Sequence, residues 1–325
     1  MFVGRFVKRV IEAATKRYFL NLVQEAYHQS GSRSHRNIRN MAQIWYGLEP
    51  GRFLKKTISR VFIDFVYQAQ LELFKGNTPI DLGPSPIGFN GLKVNCSSGD
   101  ANSSVVYLYG FSDNLTYFEI YRQYASPGSV AIDIGANLGI HSLALSKCVG
   151  DEGTVVSYEP IDDIFRRLVD NVRLNGLANI ATKKIGVGEN TGQVGFEPNV
   201  GEFNIGKGHV DGNSPTTISI TCIDEESREL ARPISLVKVD VEGFELSVLR
   251  GARSTLEMHT PAIVCEYHPD SFSFRDLAEA IPYDALYYRI PYTFWEELKP
   301  IIDVDFDEPA EVLVVPASRK PAYTS

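Results

Sequence analysis

The residues best placed to do chemistry begin in the run AIDIGANLG at 131–139, where an apolar stretch ends in Asp133 and passes through Gly135 and Gly139 into helix-forming residues. A buried strand that breaks into a glycine turn and enters a helix presents backbone N–H groups and a carboxylate at one sheet edge, where α/β folds bind nucleosides. The spacing is GxxxG. In the GxGxxG of dinucleotide-binding enzymes the middle glycine lets the backbone approach a pyrophosphate. Its absence favours a nucleoside without phosphates.

A second acid strengthens that reading. Glu159 follows the apolar run 155–158 and so closes the next strand, 20 residues beyond the second glycine. A carboxylate there is placed to accept hydrogen bonds from both ribose hydroxyls. Asp133 would meet the amino-acid end of the ligand directly or through water, or else cap the following helix. Asn137 would hydrogen-bond from within the loop beside Ala136. S-adenosylmethionine is a nucleoside that matches these groups.

A denser cluster, LVKVDVEGFE at 236–245, alternates apolar and charged residues, so Lys238, Asp240 and Glu242 share one face at a strand end. Charges on an otherwise buried strand are costly unless paired or used. Lys238 and Asp240 are read either as reaction-centre groups or as a satisfied ion pair. Glu266 and His268 close the following strand in CEYHP at 265–269. An imidazole there could take a proton from an alcohol, although a histidine beside proline is also a common turn residue. Asp240, Glu242 and His268 are the candidates for a base. Alternatively Asp240 and Glu242 would hold a Mg²⁺ that acidifies a hydroxyl.

These groups need a scaffold. From Gly128 onward the pattern alternates strands (129–134, 153–158, 180–187, 234–239, 262–267, 311–316) with helices (139–148, 162–174, 244–250, 273–281), which predicts a doubly wound, mostly parallel α/β sheet. Asp162 is expected to cap the second helix, and Asn175-Gly176 to end it in left-handed geometry. Residues 216–223 add a strand outside the alternation. Ahead of this domain, 79–127 reads as a small antiparallel lead-in with a strand at 104–109. Residues 1–78 read as a helical extension with amphipathic helices over 2–24 and 57–75.

At 325 residues, with 44% hydrophobic and 22% charged positions, the chain can bury one substantial core plus an appendage. Residues 1–75 hold 13 Lys and Arg against 5 Asp and Glu, a charge of +8, which leaves −16 for the remainder. The acidic body argues against a nucleic-acid substrate, because phosphate binding relies on Lys and Arg. The basic arm would either touch an anionic membrane or another copy, or simply cap the core. With no run of about 20 apolar residues and no secretory signal, a cytoplasmic location is expected, peripheral to a membrane if the arm binds one. The scattered Cys96, Cys148, Cys222 and Cys265 read as reduced thiols rather than a disulfide or zinc framework.

In order and spacing, DIGANLG at 133–139, YEP at 158–160, NVRLNGL at 171–177, TCID at 221–224, KVDVEGFELSVLRGA at 238–252 and AIVCEYHP at 262–269 resemble the FkbM-type S-adenosylmethionine-dependent methyltransferases. The resemblance implies a Rossmann-like methyltransferase sheet and O-methyl transfer to a hydroxyl of a sugar, glycan or secondary metabolite. It places Asp133, Gly135, Asn137, Gly139 and Glu159 on the cofactor, with Lys238, Asp240, Glu242 and Glu266 facing the reaction centre. Two rivals stand beside it. A nicotinamide-dependent oxidoreductase would want a third glycine where Ile140-His-Ser142 stand, and a non-catalytic adaptor recruited through the basic arm would have no need of buried strand-end charges.

Overall fold

The computed structural model describes residues 81–97, 100, 102–103, 106–107, 115–197, 208–212, 214–230, 232–291, 297–303 and 305–319. The helices expected over 2–24 and 57–75 lie outside these residues. Two compact units divide the chain, one formed by 1–86 with 95–112 and the other by 87–94 with 113–325.

In the first unit, strand β1 is Asp81–Pro86. The strand expected at 104–109 is absent from its described residues, because Asn102, Ser103, Val106 and Tyr107 are helical. Asp100 supplies the reason: its carboxylate accepts the Ser103 N–H at 3.0 Å. An acceptor three residues ahead satisfies a first-turn donor and favours helix over an extended chain. Strand β2 is Lys93–Ser97.

The second unit is built on an eight-stranded sheet. Its elements are α1 (Leu115–Tyr124), β3 (Val130–Ile134), α2 (Ile140–Val149), β4 (Thr154–Tyr158), α3 (Asp162–Leu174), β5 (Ile180–Lys183), β6 (Gly186–Val187), β7 (Gly192–Glu197), β8 (His209–Val210), β9 (Thr217–Thr221), α4 (Ile223–Glu226), β10 (Ile234–Val239), α5 (Glu245–Arg250), α6 (Arg253–His259), β11 (Ala262–Tyr267), α7 (Phe274–Ala280), β12 (Ala285–Ile290), β13 (Lys299–Pro300) and β14 (Ala310–Pro316). The strand order is β13-β12-β14-β11-β10-β3-β4-β5, with β10, β11, β3, β4 and β5 parallel to their neighbours and β14 antiparallel to both β11 and β12. This is the doubly wound, mostly parallel Rossmann-like sheet that the sequence predicts. The expected strand at 180–187 is two: β5 ends on the main sheet at Lys183, and β6 joins a separate sheet ordered β6-β9-β7-β8. That second sheet takes up the extra strand expected at 216–223.

Side chains alternate across the sheet and so divide its chemistry. Ile132, Ile134, Val237, Val239, Ile263, Cys265, Val312 and Val314 point to one face, where they pack with Val248, Leu249, Leu256, Phe274 and Leu277 of α5, α6 and α7. Each fully buried aliphatic side chain contributes about 1.5–3 kcal/mol of transfer free energy. Asp133, Lys238, Glu266 and Glu311 occupy alternate positions on these strands and therefore the opposite face. Helix α1 repeats Tyr117, Ile120, Tyr121 and Tyr124 at helical spacing, and all four are buried. The Asp162 cap is not formed. Ile161 is the N-cap and Asp162 the first helical residue, its carboxylate paired with Arg166 and Lys184. At the other end Gly176 does adopt the left-handed conformation, φ 61°. All four cysteines are free thiols. Among the described residues no helix is long and apolar enough to cross a membrane.

Candidate functional site

The turn after β3 is set by close approach. Gly135 and Gly139 have φ of 75° and 86°, and Asn137 between them has 49°. A Cβ on Gly135 would stand 1.8 Å from the Asp240 carbonyl oxygen, and one on Gly139 would stand 2.5 Å from Leu168 Cδ1. No larger residue fits either place without moving backbone or core. The N–H groups of Gly135 and Ala136 donate to the Tyr158 carbonyl at 3.1 and 2.9 Å, tying the turn to the end of β4.

Glu159 sits at that strand end, 5% exposed. Its Oε2 accepts the Asn137 N–H at 3.0 Å and its Oε1 accepts the Ile161 N–H at 2.9 Å. Burial pushes its carboxyl up to about 7, while the N–H groups of Ile161 and Asn137 pull the other way. The Asn137 Oδ1 is withdrawn from solvent with no hydrogen-bond partner. An amide oxygen in that state is costly unless a donor meets it.

Lys238 joins the turn to β10. Its ammonium lies 3.1 Å from Asp240 Oδ2, 3.5 Å from Asp133 Oδ1 and 3.3 Å from the Gly135 carbonyl oxygen. Burial alone would lower its pKa, but Asp240 and Asp133 hold the ammonium above its ordinary range. The ion pair between Lys238 and Asp240 is therefore real, and it touches the glycine turn. Asp133 is fully buried and accepts the Ser142 hydroxyl of α2 at 2.5 Å, so it holds the helix through a side chain rather than through a terminal N–H. Glu242 departs from expectation: β10 ends at Val239, and Glu242 lies in the turn beyond it with φ 51°, off the strand face. The turn is pinned by Glu245, whose Oε1 accepts the N–H groups of Val241 and Gly243 at 3.0 and 3.1 Å.

Glu266 and His268 come together, with Nε2 to Oε1 3.5 Å, and the His268 side chain is 45% exposed. Sequence reasoning missed Glu311. It is the register partner of Glu266 across the β11 and β14 pair, so both side chains stand on the Lys238 face. Tyr117 of α1 shares a hydrogen bond with Glu311, and burial first, then Asp240, pushes the Glu311 carboxyl up to about 8. Also missed were Tyr121 and His141, joined by Oη to Nδ1 at 2.8 Å, with the His141 ring 4.9 Å from that of Tyr117. Burial first, and Lys238 second, holds the His141 pKa well below its usual value, so the imidazole is neutral near pH 7. The 3.6-residue recurrence of tyrosines in 117–124 was the available signal for this wall. Among the described residues, no group of three or more His, Cys, Asp or Glu is arranged to hold a metal ion.

Comparison with known proteins bears on these residues. The family model for the methyltransferase FkbM domain matches residues 133–290, from Asp133 to the end of β12. A hexuronic acid methyltransferase, AglP, from Haloferax volcanii is 35% identical over 136 residues, which cover 41% of this chain and 54% of that protein. Among solved structures, methyltransferase FkbM from Methylobacillus flagellatus is 19% identical with a TM-score of 0.40, covering 65% of this chain and 52% of that one. An S-adenosylmethionine-dependent O-methyltransferase from Thermotoga maritima is 12% identical with a TM-score of 0.35, covering 63% and 66%. The chain thus spans about half the length of the curated relative it matches.

Proposed function

The chain carries a methyltransferase FkbM domain over residues 133–290, and on that premise we propose that it transfers a methyl group from S-adenosylmethionine to a hydroxyl of a sugar or glycan. The observation that carries this reading is the pairing of the Gly135 turn with Glu159 at the next strand end, bridged by the Asn137 N–H. The residues fit that donor. Glu159 offers a carboxylate to the ribose hydroxyls, and the orphaned Asn137 Oδ1 offers an acceptor to the donor's ammonium. Asp133, Gly135, Ala136, Asn137, Gly139 and Glu159 form the cofactor side, while Lys238, Asp240, Glu242, Glu266 and His268 form the acceptor side. The sugar class rests on the hexuronic acid methyltransferase named above.

When bound, the donor supplies an electrophilic methyl group on a sulfonium and leaves as S-adenosylhomocysteine. The chain's own task is mainly positioning, which supplies about 7–11 kcal/mol when reacting atoms are held in line. Lys238 serves it by fixing the Asp240 turn against Gly135, so that cofactor and acceptor sides move as one. A carboxylate or imidazole on the acceptor side takes the hydroxyl proton, worth about 100- to 10,000-fold. The test is S-adenosylhomocysteine release by the full chain offered hexuronic acids and neutral methyl hexosides, with the transferred methyl located by ¹³C NMR. Methyl on oxygen supports the proposal, whereas methyl on nitrogen or carbon, or no release with any sugar, rejects it.

A further inference from the structure

Of the groups at this edge of the sheet, the one with no role so far is Glu311. It stands at the start of β14, directly across from Glu266 at the end of β11, because an antiparallel strand brings its first residues to the edge where its parallel neighbours finish. The groups facing it come from three elements: Lys238 of β10 with Asp240 just beyond it, Glu266 of β11, and Tyr117 of α1 with Tyr121 one turn further on. Asp240 is held by the Lys238 ammonium, and His268 is half exposed beyond the strand. Glu311 faces no cation at ion-pair distance among the described residues; its named partner is the Tyr117 phenol.

We propose that Glu311 is the catalytic base, receiving the proton of the acceptor hydroxyl, and that Tyr117 is the positioning residue that orients it. This rests on the methyl-transfer reading above. In the step, the acceptor oxygen forms a bond to the methyl carbon, the carbon–sulfur bond breaks with its electron pair passing to sulfur, and the acceptor proton moves to a Glu311 oxygen. Glu311 then returns the proton to water. A buried carboxyl pushed up to about 8 is matched to a proton acceptor working near neutrality. The Tyr117 phenol, which burial holds well above its usual pKa, stays protonated and so remains a donor to it.

The test uses the full chain with ¹³C-labelled glutamate carboxyls. One carboxyl is expected to titrate near pH 8, to vanish in Glu311→Gln, and to move to higher pH in Tyr117→Phe, which removes the donor that favours the ionised form. A Glu311 carboxyl that titrates in the ordinary range, or one unmoved by Tyr117→Phe, overturns the proposal. With a sugar that the wild type methylates, Glu311→Gln is expected to lower kcat by about 100-fold or more and to leave S-adenosylmethionine affinity within about threefold. Tyr117→Phe is expected to shift the acid limb of the pH profile upward. A Glu311→Gln variant with kcat and pH profile close to wild type also overturns it. If the wild type methylates no sugar, the acceptor class fails and the carboxyl titration alone decides the place of Glu311.

Discussion

Glu159→Gln separates binding chemistry from stability at one position. In the folded chain the carboxyl is pushed up to about 7 by burial against an ordinary 4.5. A raised folded pKa means that the native state holds its proton more tightly than the unfolded chain. The associated stability is therefore full below about pH 4.5 and is lost as pH rises through 7. The shift corresponds to about 3 kcal/mol at 1.36 kcal/mol per pH unit. Glutamine cannot titrate, so the stability difference between variant and wild type should grow in the variant's favour by about that amount between pH 4.5 and 7.5, read from urea unfolding. Binding should move the other way. Hydrogen bonds to a charged acceptor contribute about 1.5–3 kcal/mol against about 0.5–1.5 for neutral pairs, so the variant should bind S-adenosylmethionine roughly 5- to 150-fold more weakly at pH 8. Wild-type affinity should fall towards acid below about pH 7 as the carboxylate protonates, and the variant's should be flat. Calorimetry that finds equal affinity at pH 8, or a wild-type affinity unchanged between pH 5.5 and 8, would refute the ribose role of Glu159.

Other expected outcomes follow from single contacts. Gly135→Ala places a Cβ 1.8 Å from the Asp240 carbonyl oxygen at a left-handed φ, and a loss of at least about 3 kcal/mol is expected on unfolding; a wild-type denaturation curve would show that the turn yields freely. Lys238→Met leaves the fully buried Asp133 without its cation and should cost about 3–5 kcal/mol, whereas Lys238→Met with Asp133→Asn should recover much of it. Strict additivity in that double-mutant cycle would deny the pairing. Asp224 accepts the N–H groups of Ser254 and Thr255 at the start of α6, so Asp224→Ala should cost about 1–2 kcal/mol in denaturant with S-adenosylmethionine affinity unchanged, and a tenfold loss of affinity would give it a further role.

The central sheet is legible in the chain because parallel strands covered on both faces read as unbroken apolar runs, as at 130–134, 234–239 and 262–267. Strand β12 escapes that reading because ALYYRI at 285–290 mixes a charge and two phenols into a part-buried strand. Asp133, Lys238 and Asp240 stand out in sequence because each interrupts an apolar run, and the structure brings them into one ion-paired group. Glu311 does not stand out. It lies 45 residues beyond Glu266, and only the antiparallel insertion of β14 between β11 and β12 makes the two neighbours. The tyrosines of α1 are missed for a different reason: a polar, Gly- and Ser-rich approach suggests strand and turn, while the tertiary burial of Tyr117 and Tyr121 selects helix. The error at 104–109 is local, since β-branched and aromatic residues favour extended chain until the Asp100 cap is counted.

The most direct measurement is calorimetric titration of the folded full-length chain with S-adenosylmethionine, S-adenosylhomocysteine and NADH. One site that takes up both adenosyl compounds and ignores the dinucleotide is the expected result. Uptake of NADH alone, or of none of the three, would contradict the reading of the Gly135 turn and Glu159 as a methyl-donor site.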